Sequence, residues 1–149
     1  MRFNKEGQYI VRHSMMSEFG EVDYEQTVKV QGEHIAPEML AVTNIGEQYQ
    51  IIWEQSSDMP TEVIGYRIYK ESSRTDVYNL VGEVGKNSLQ FVDMASNPNV
   101  HSSRYALSYV TTYGESTMSV PHQGLHVMIN RGVGTTWNLA WMKYEGRDV

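Results

Sequence analysis

The chain has 149 residues, 40% of them apolar and 20% charged, which suits one domain with a core, or one domain with pieces of others. Lys and Arg number 12 against 18 Asp and Glu, a net charge of −6 with no basic run to offset it, so a nucleic-acid partner is not expected. Cysteine is absent, which excludes disulfides, Cys-ligated zinc and thiol nucleophiles. The longest apolar runs, such as Met39-Leu40-Ala41-Val42, are far too short for a membrane-spanning helix, and direct membrane insertion is not expected. The start, Met1-Arg2-Phe3-Asn4, lacks the apolar segment of a signal peptide.

In chain order, Phe3-x-x-x-Gly7-x-Tyr9-x-Val11 reads as a turn followed by an alternating strand. Glu18-Phe19-Gly20-Glu21 reads as a second turn, after which Val22, Tyr24, Val28 and Val30 lie on a strand of one parity. Residues 1–32 are therefore expected as a hairpin, an element that is marginal in water unless it packs on something. From residue 33 to 122 period-2 alternation dominates. Strands are expected at 39–43, 49–54, 63–71, 77–84, 88–92, 103–112 and 116–121. Turn chemistry separates them at Asn44-Ile45-Gly46, Ser56-Ser57-Asp58-Met59-Pro60, Ser72-Ser73, Gly85-Lys86-Asn87, Ser96-Asn97-Pro98-Asn99 and Tyr113-Gly114. Short strands about ten residues apart indicate an antiparallel sandwich or barrel, and no helical crossovers are visible for a parallel sheet. Within this window Trp53, Tyr66, Ile68, Tyr105 and Leu107 are the expected structural core, with Ile64 on the face of Tyr66 and Ile68. Tyr105 is also a candidate for a tyrosine-corner hydrogen bond. Residues 123–149 then repeat an earlier pattern: Tyr49-x-Ile51-x-Trp53 is echoed by Trp137-x-Leu139-x-Trp141, and Gly46 by Gly134 at the same offset.

Three stretches together resemble a fibronectin type III domain: Ile51-x-Trp53, then Ile64-Gly65-Tyr66-Arg67-Ile68-Tyr69-Lys70, then Tyr105-x-Leu107-x-Tyr109-Val110-x-x-x-Gly114-Glu115-Ser116. Tyr78-x-Leu80-x-Gly82-x-Val84 and Phe91-Val92-Asp93 fit the same pattern. The resemblance implies an all-β, seven-stranded antiparallel immunoglobulin-like sandwich over residues 33–122, with extra terminal strands. Residues 1–32 are similar to the end of a PKD-type domain, and 123–149 to the start of a second fibronectin type III repeat. Chains of this kind resemble large cell-surface or secreted proteins of Bacteroidetes-type bacteria.

No constellation of residues reads as catalytic, and no cofactor or metal is expected. His122-x-x-x-His126 has helical zinc spacing, but Pro121 and Gly124 interrupt it. On extended backbone the two rings stand about 13 Å apart, so both are expected as solvated linker residues. The loop Asp93-Met94-Ala95-Ser96-Asn97-Pro98-Asn99 is too poor in carboxylates for calcium, and Asp93 is expected to cap a turn. Gly132-Val133-Gly134 reads as a turn, and no pair of carboxylates is placed across an evident cleft, as a glycosidase needs. Trp137, Trp141 and Tyr144 are candidate ligand-contact aromatics. Their parity and the repeat favour an inward, core placement of the two tryptophans.

The expected function is a non-catalytic module of a cell-surface or secreted protein, serving as spacer, adhesion or protein-interaction domain, with a protein or glycan at the cell surface as partner. The alternative is an accessory carbohydrate-binding module of a polysaccharide-degrading enzyme, which a row of exposed Trp or Tyr would favour. Each terminal segment carries one apolar strand face, so a homodimer is expected in which the N-terminal hairpin of one chain meets the C-terminal strands of another.

Overall fold

A computed structural model describes residues 7–30, 36–55, 59–60 and 62–146. Phe3, the turn residues Ser56, Ser57 and Asp58, and the expected boundary at 32/33 lie outside the described residues. The described chain is all-β, with no helix and therefore none long and apolar enough to cross a membrane. It divides into two compact units, Met1–His34 and Ile35–Val149.

The first unit is an antiparallel hairpin of β1 (Gly7–Ser17) and β2 (Gly20–Val30) joined by Glu18 and Phe19. Alternation sorts its side chains. Tyr9 pairs with Val28, His13 with Tyr24 and Met15 with Val22 on one face, while Arg12 with Glu25 and Ser14 with Asp23 occupy the other. Arg12 and Glu25 form an ion pair there.

The second unit contains β3 (Met39–Ile45), β4 (Gln48–Trp53), β5 (Val63–Glu71), β6 (Tyr78–Gly85), β7 (Gln90–Asp93), β8 (Arg104–Thr111), β9 (His122–Gln123), β10 (Val127–Arg131) and β11 (Trp137–Trp141). These form three antiparallel sheets, in the orders β3-β4-β7, β6-β5-β8-β9 and β10-β11. The first two meet face to face, as in a β-sandwich. Met39, Val42, Tyr49, Ile51 and Trp53 from one sheet pack with Val63, Tyr66, Ile68, Tyr105, Leu107 and Tyr109 from the other in one buried cluster. Period-2 alternation places these residues inward, and β-branched and aromatic side chains suit such a pleated, covered surface.

Two expectations about strands change. Ile64 does not share the inward face of Tyr66 and Ile68; it is 54% exposed, and Val63 is buried instead. The cause is an irregularity in the β5–β8 pairing between Val63 and Gly65, which shifts the parity of the strand entry by one. Residues 116–121 do not form a regular strand. Ser116 and Ser119 donate their N–H groups to the Tyr109 and Leu107 carbonyls. The return bonds, from the Tyr109 and Leu107 N–H groups, go to the Ser116 and Ser119 hydroxyls at 3.1 and 3.0 Å. Side-chain oxygens thus replace backbone carbonyls as acceptors. Three residues on this segment also span two on β8, so the regular ladder resumes only at Tyr105↔His122.

Residues 123–146, expected to begin a second repeat, belong to the same compact unit as the sandwich. The β10–β11 hairpin leaves from β9, and the chain returns at its end to pair Glu145 with Gln123.

Candidate functional site

The five residues expected in the core, Trp53, Tyr66, Ile68, Tyr105 and Leu107, are each no more than 1% exposed. Trp53 and Tyr66 meet across the sheets with ring centroids 5.2 Å apart, and Tyr49 meets Tyr105 edge-on at 6.0 Å.

At the Tyr105 end this core carries a polar cluster that joins the two sheets. Asp93, on the last position of β7, is buried and caps the following turn by accepting the Ala95 N–H at 3.0 Å. Its other carboxylate oxygen accepts the Tyr105 hydroxyl at 2.8 Å and the Lys70 ammonium at 2.9 Å. Lys70 also stands 5.6 Å from the centroid of the Tyr105 ring. The turn-capping role expected for Asp93 is therefore combined with an ion pair to β5 and a phenol bond to β8. Burial pushes the Asp93 carboxyl up, but the Lys70 and Tyr105 bonds, the Lys70 charge and the Ala95 N–H outweigh it and hold the carboxyl below its ordinary range. Burial first, and the Asp93 carboxylate second, raise the Tyr105 phenol, so it remains a hydrogen-bond donor. The hydroxyl meets a carboxylate, not the backbone acceptor of a tyrosine corner. Asp93 and Tyr105 are buried, Lys70 is 20% exposed, and the three hold the two sheets together.

Two further charge networks lie nearer the surface. On the outer face of the four-stranded sheet, Arg67 pairs with Glu83 and with Glu115, each at 2.6 Å. Tyr69 and Ser108 donate to the same Glu115 carboxylate. At the sheet end, Arg104 contacts Glu71 at 2.9 Å, Asp76 at 3.5 Å and Glu145 at 2.9 Å. An open groove of about 480 Å³ lies there, lined in part by Lys70, Ser102, Arg104 and Gln123. Its cations are already paired, Lys70 with Asp93 and Arg104 with three carboxylates. These partners are distant in sequence, which is why reading along the chain did not reveal them. Among the described residues no group of three His, Asp or Glu side chains is placed to hold a metal ion.

The histidines differ from their expected placement. His122 is buried, not solvated, at 3% exposure. Its Nδ1 lies 2.9 Å from the Tyr144 hydroxyl, with the two rings perpendicular. His126 Nδ1 donates to the Pro98 carbonyl at 2.6 Å. Tyr144, a candidate ligand contact, is tied into the sandwich edge, because its hydroxyl also accepts the Val42 N–H at 3.0 Å. The Gln123 N–H bonds the Glu145 carbonyl at 3.1 Å, so residues 144–146 form a clasp across β9 and β3. Gly146 completes it. Its φ is +121°, and a Cβ there would stand 2.2 Å from the His122 ring. Gly146→Ala is expected to open the clasp, seen as lost hydrogen-exchange protection at Gln123, while the sandwich melt changes by less than about 1 kcal/mol. Protection unchanged at Gln123 would show that the clasp tolerates the methyl group.

Trp137 and Trp141 do share a strand face, as their parity requires, but they are not core: they are 64% and 68% exposed. Leu139 lies between them on β11, and the cross-strand partners on β10 are Val127, Ile129 and Arg131. Within the second unit none of the described residues covers this face, and every residue of β10 and β11 is exposed.

Neither a protein-family model nor a curated protein matches the chain. Among solved structures it is similar to the crystal structure of a beta-1,2-glucanase from Parabacteroides distasonis, with 17% sequence identity and a TM-score of 0.44. That likeness covers 68% of this chain and 15% of the other. A likeness at this level identifies neither activity nor substrate.

Proposed function

We propose that this chain contains a non-catalytic sandwich of the fibronectin type III kind, acting as a spacer, adhesion or protein-interaction module of a cell-surface or secreted bacterial protein. The observation that carries the reading is how the polar chemistry between the two sheets is used. Asp93, Lys70 and Tyr105 join β7, β5 and β8, with Asp93 and Tyr105 buried and the one member that reaches the neighbouring groove, Lys70, held by the Asp93 carboxylate. The strand orders β3-β4-β7 and β6-β5-β8-β9 support the fold assignment, as do the inward aromatics on β4, β5 and β8. In this reading residues 123–149 begin a further repeat and residues 1–32 end a preceding PKD-type domain.

A spacer must bear load as a unit. Pulled from its ends, the sandwich from β3 to β9 is expected to give one cooperative rupture. About 85 residues at roughly 3.5 Å each should then release close to 300 Å of chain. Extension in several small steps at negligible force would reject the load-bearing role.

The exposure of Trp137 and Trp141 favours the alternative, an accessory carbohydrate-binding module. Their face, however, offers a single polar side chain, Arg131, where sugar hydroxyls need several placed donors and acceptors. Calorimetry against a panel of soluble polysaccharides is expected to show no saturable heat. Saturable binding abolished by Trp137→Ala with Trp141→Ala would transfer the assignment to the carbohydrate reading.

A further inference from the structure

Successive domains of a chain move relative to each other by default, because a single connection lets the second swing about the first. The passage from the sandwich into β10–β11 is built otherwise. On the way out of β9, the Gly124 N–H bonds the Ser103 carbonyl at 3.0 Å, and His126 is held by the Pro98 carbonyl. Between them, the Leu125 carbonyl lies 3.2 Å from the hydroxyl of Tyr49, a fully buried core residue on β4. The same hydroxyl lies 3.2 Å from the His101 carbonyl. The Tyr49 ring also fixes the path of the chain. A Cβ on Gly124 would stand 2.2 Å from the ring edge, so only glycine lets the backbone pass this close. Three consecutive residues are thus each tied to β4 or to the loop before β8.

On the way back, beyond β11, the clasp closes the other side of the same base. Tyr144 binds Val42 on β3 and His122 on β9. Glu145 bonds Gln123 on β9 through its carbonyl, and Arg104 on β8 through both carboxylate oxygens, at 3.1 and 2.9 Å. Arg104 carries the anchorage on to Glu71 and Asp76 at the β5–β6 turn. β3 and β9 are edge strands of the two opposing sheets, so the clasp bridges from one sheet to the other. Strands stand about 5 Å apart within a sheet and packed sheets about 10 Å apart, so anchors spread over β3, β4, β8 and β9 do not lie on one line. A body held at such points has no free axis of rotation.

We propose that the sandwich sets the orientation of the repeat that follows it, through a rigid joint closed by two seams, residues 124–126 on the way out and 144–146 on the way back. The joint rests on the reading of residues 123–149 as the start of a further repeat, and it makes the spacer a stiff rod whose successive modules keep a fixed angle. Its seams are small and polar. The rigidity comes from where the anchors stand, not from buried area.

Residual dipolar couplings on the full chain are the test, because they average over motions up to milliseconds, the range of hinge motions between domains. In the wild type the amides of β10 and β11 are expected to follow the same alignment as those of the sandwich. Tyr144→Phe combined with Glu145→Ala opens the return seam and leaves Arg104 its partners Glu71 and Asp76. The β10–β11 couplings should then shrink about twofold or more, while those of the sandwich, and its melt, stay unchanged. Tyr49→Phe, which keeps the ring and removes only the hydroxyl, should deepen the loss when added to that pair. Couplings of β10–β11 already reduced in the wild type overturn the proposal. So do couplings unchanged in the double variant, which would place the constraint elsewhere. The spacer reading fails separately. A common alignment in a chain whose sandwich gives no cooperative rupture under force keeps the joint and removes the spacer; a cooperative rupture with β10–β11 loosely tethered does the reverse.

Discussion

Trp53→Ala is expected to destabilise the sandwich by about 3–5 kcal/mol, the range for a large aromatic removed from a core. The indole sits on the third inward position of β4, pairs with Met39 on β3, and packs against Tyr66 of the opposing sheet. Removing it empties the Tyr66 end of the contact between the two sheets. Rigid neighbours on regular strands can close little of that space, so the cavity adds to the lost burial. The Trp53 N–H also closes a bond to the Leu89 carbonyl, which any amino acid but proline keeps, so the loss belongs to the side chain. Urea unfolding at neutral pH gives the difference directly. A change below about 1 kcal/mol would show that the two sheets do not depend on this contact.

The second large effect is expected at Asp93. Asp93→Asn keeps the shape and removes the charge, leaving the Lys70 ammonium and the Tyr105 hydroxyl facing an amide. Removing one partner of a buried ion pair costs a few kcal/mol; with the Lys70 side chain 20% exposed, about 3 kcal/mol is expected. The pH dependence separates this from a packing defect. The folded Asp93 carboxyl lies below its unfolded value, so its contribution is complete above the ordinary carboxylate range near pH 4. It is lost as pH falls through the lower folded value. The gap between wild type and Asp93→Asn should therefore be widest at neutral pH and narrow steadily in acid. Tyr105 acts with the opposite sign. Its folded value is raised, so its contribution is complete below the ordinary phenol value of about 10 and is lost as pH rises beyond it. Urea unfolding of both proteins at neutral and acidic pH decides the point. A gap that stays constant into acid would show that the Asp93 charge is not what holds β7 to β5 and β8.

Much of the architecture was legible along the chain. The alternation Tyr49, Ile51, Trp53 and the alternation Tyr105, Leu107, Tyr109 set an inward face on β4 and β8 without reference to any neighbour, because side chains on a strand alternate strictly. The N-terminal hairpin was likewise readable from its turn at Glu18-Phe19 and the parity of Val22, Tyr24, Val28 and Val30. The Asp93 cap could be seen in part, since a carboxylate two residues before its N–H partner is local chemistry. The same alternation failed at Ile64, where the irregular pairing opposite Val110 and Thr111 resets parity, and nothing in one strand announces how its neighbour pairs.

What the sequence by itself determined, then, is which faces are apolar, where the chain turns, and that the chain is built of strands. The tertiary structure decided which of those faces are covered. Trp53 and Trp141 occupy matching places in two hairpins of like pattern; one is buried and the other is 68% exposed. His122 and Tyr144, twenty-two residues apart, meet only because the chain returns past β9. Lys70, Asp93 and Tyr105 come together only where three strands converge. Parity and turn chemistry are properties of a few consecutive residues, whereas burial and ion pairing depend on what the rest of the chain brings to the other side.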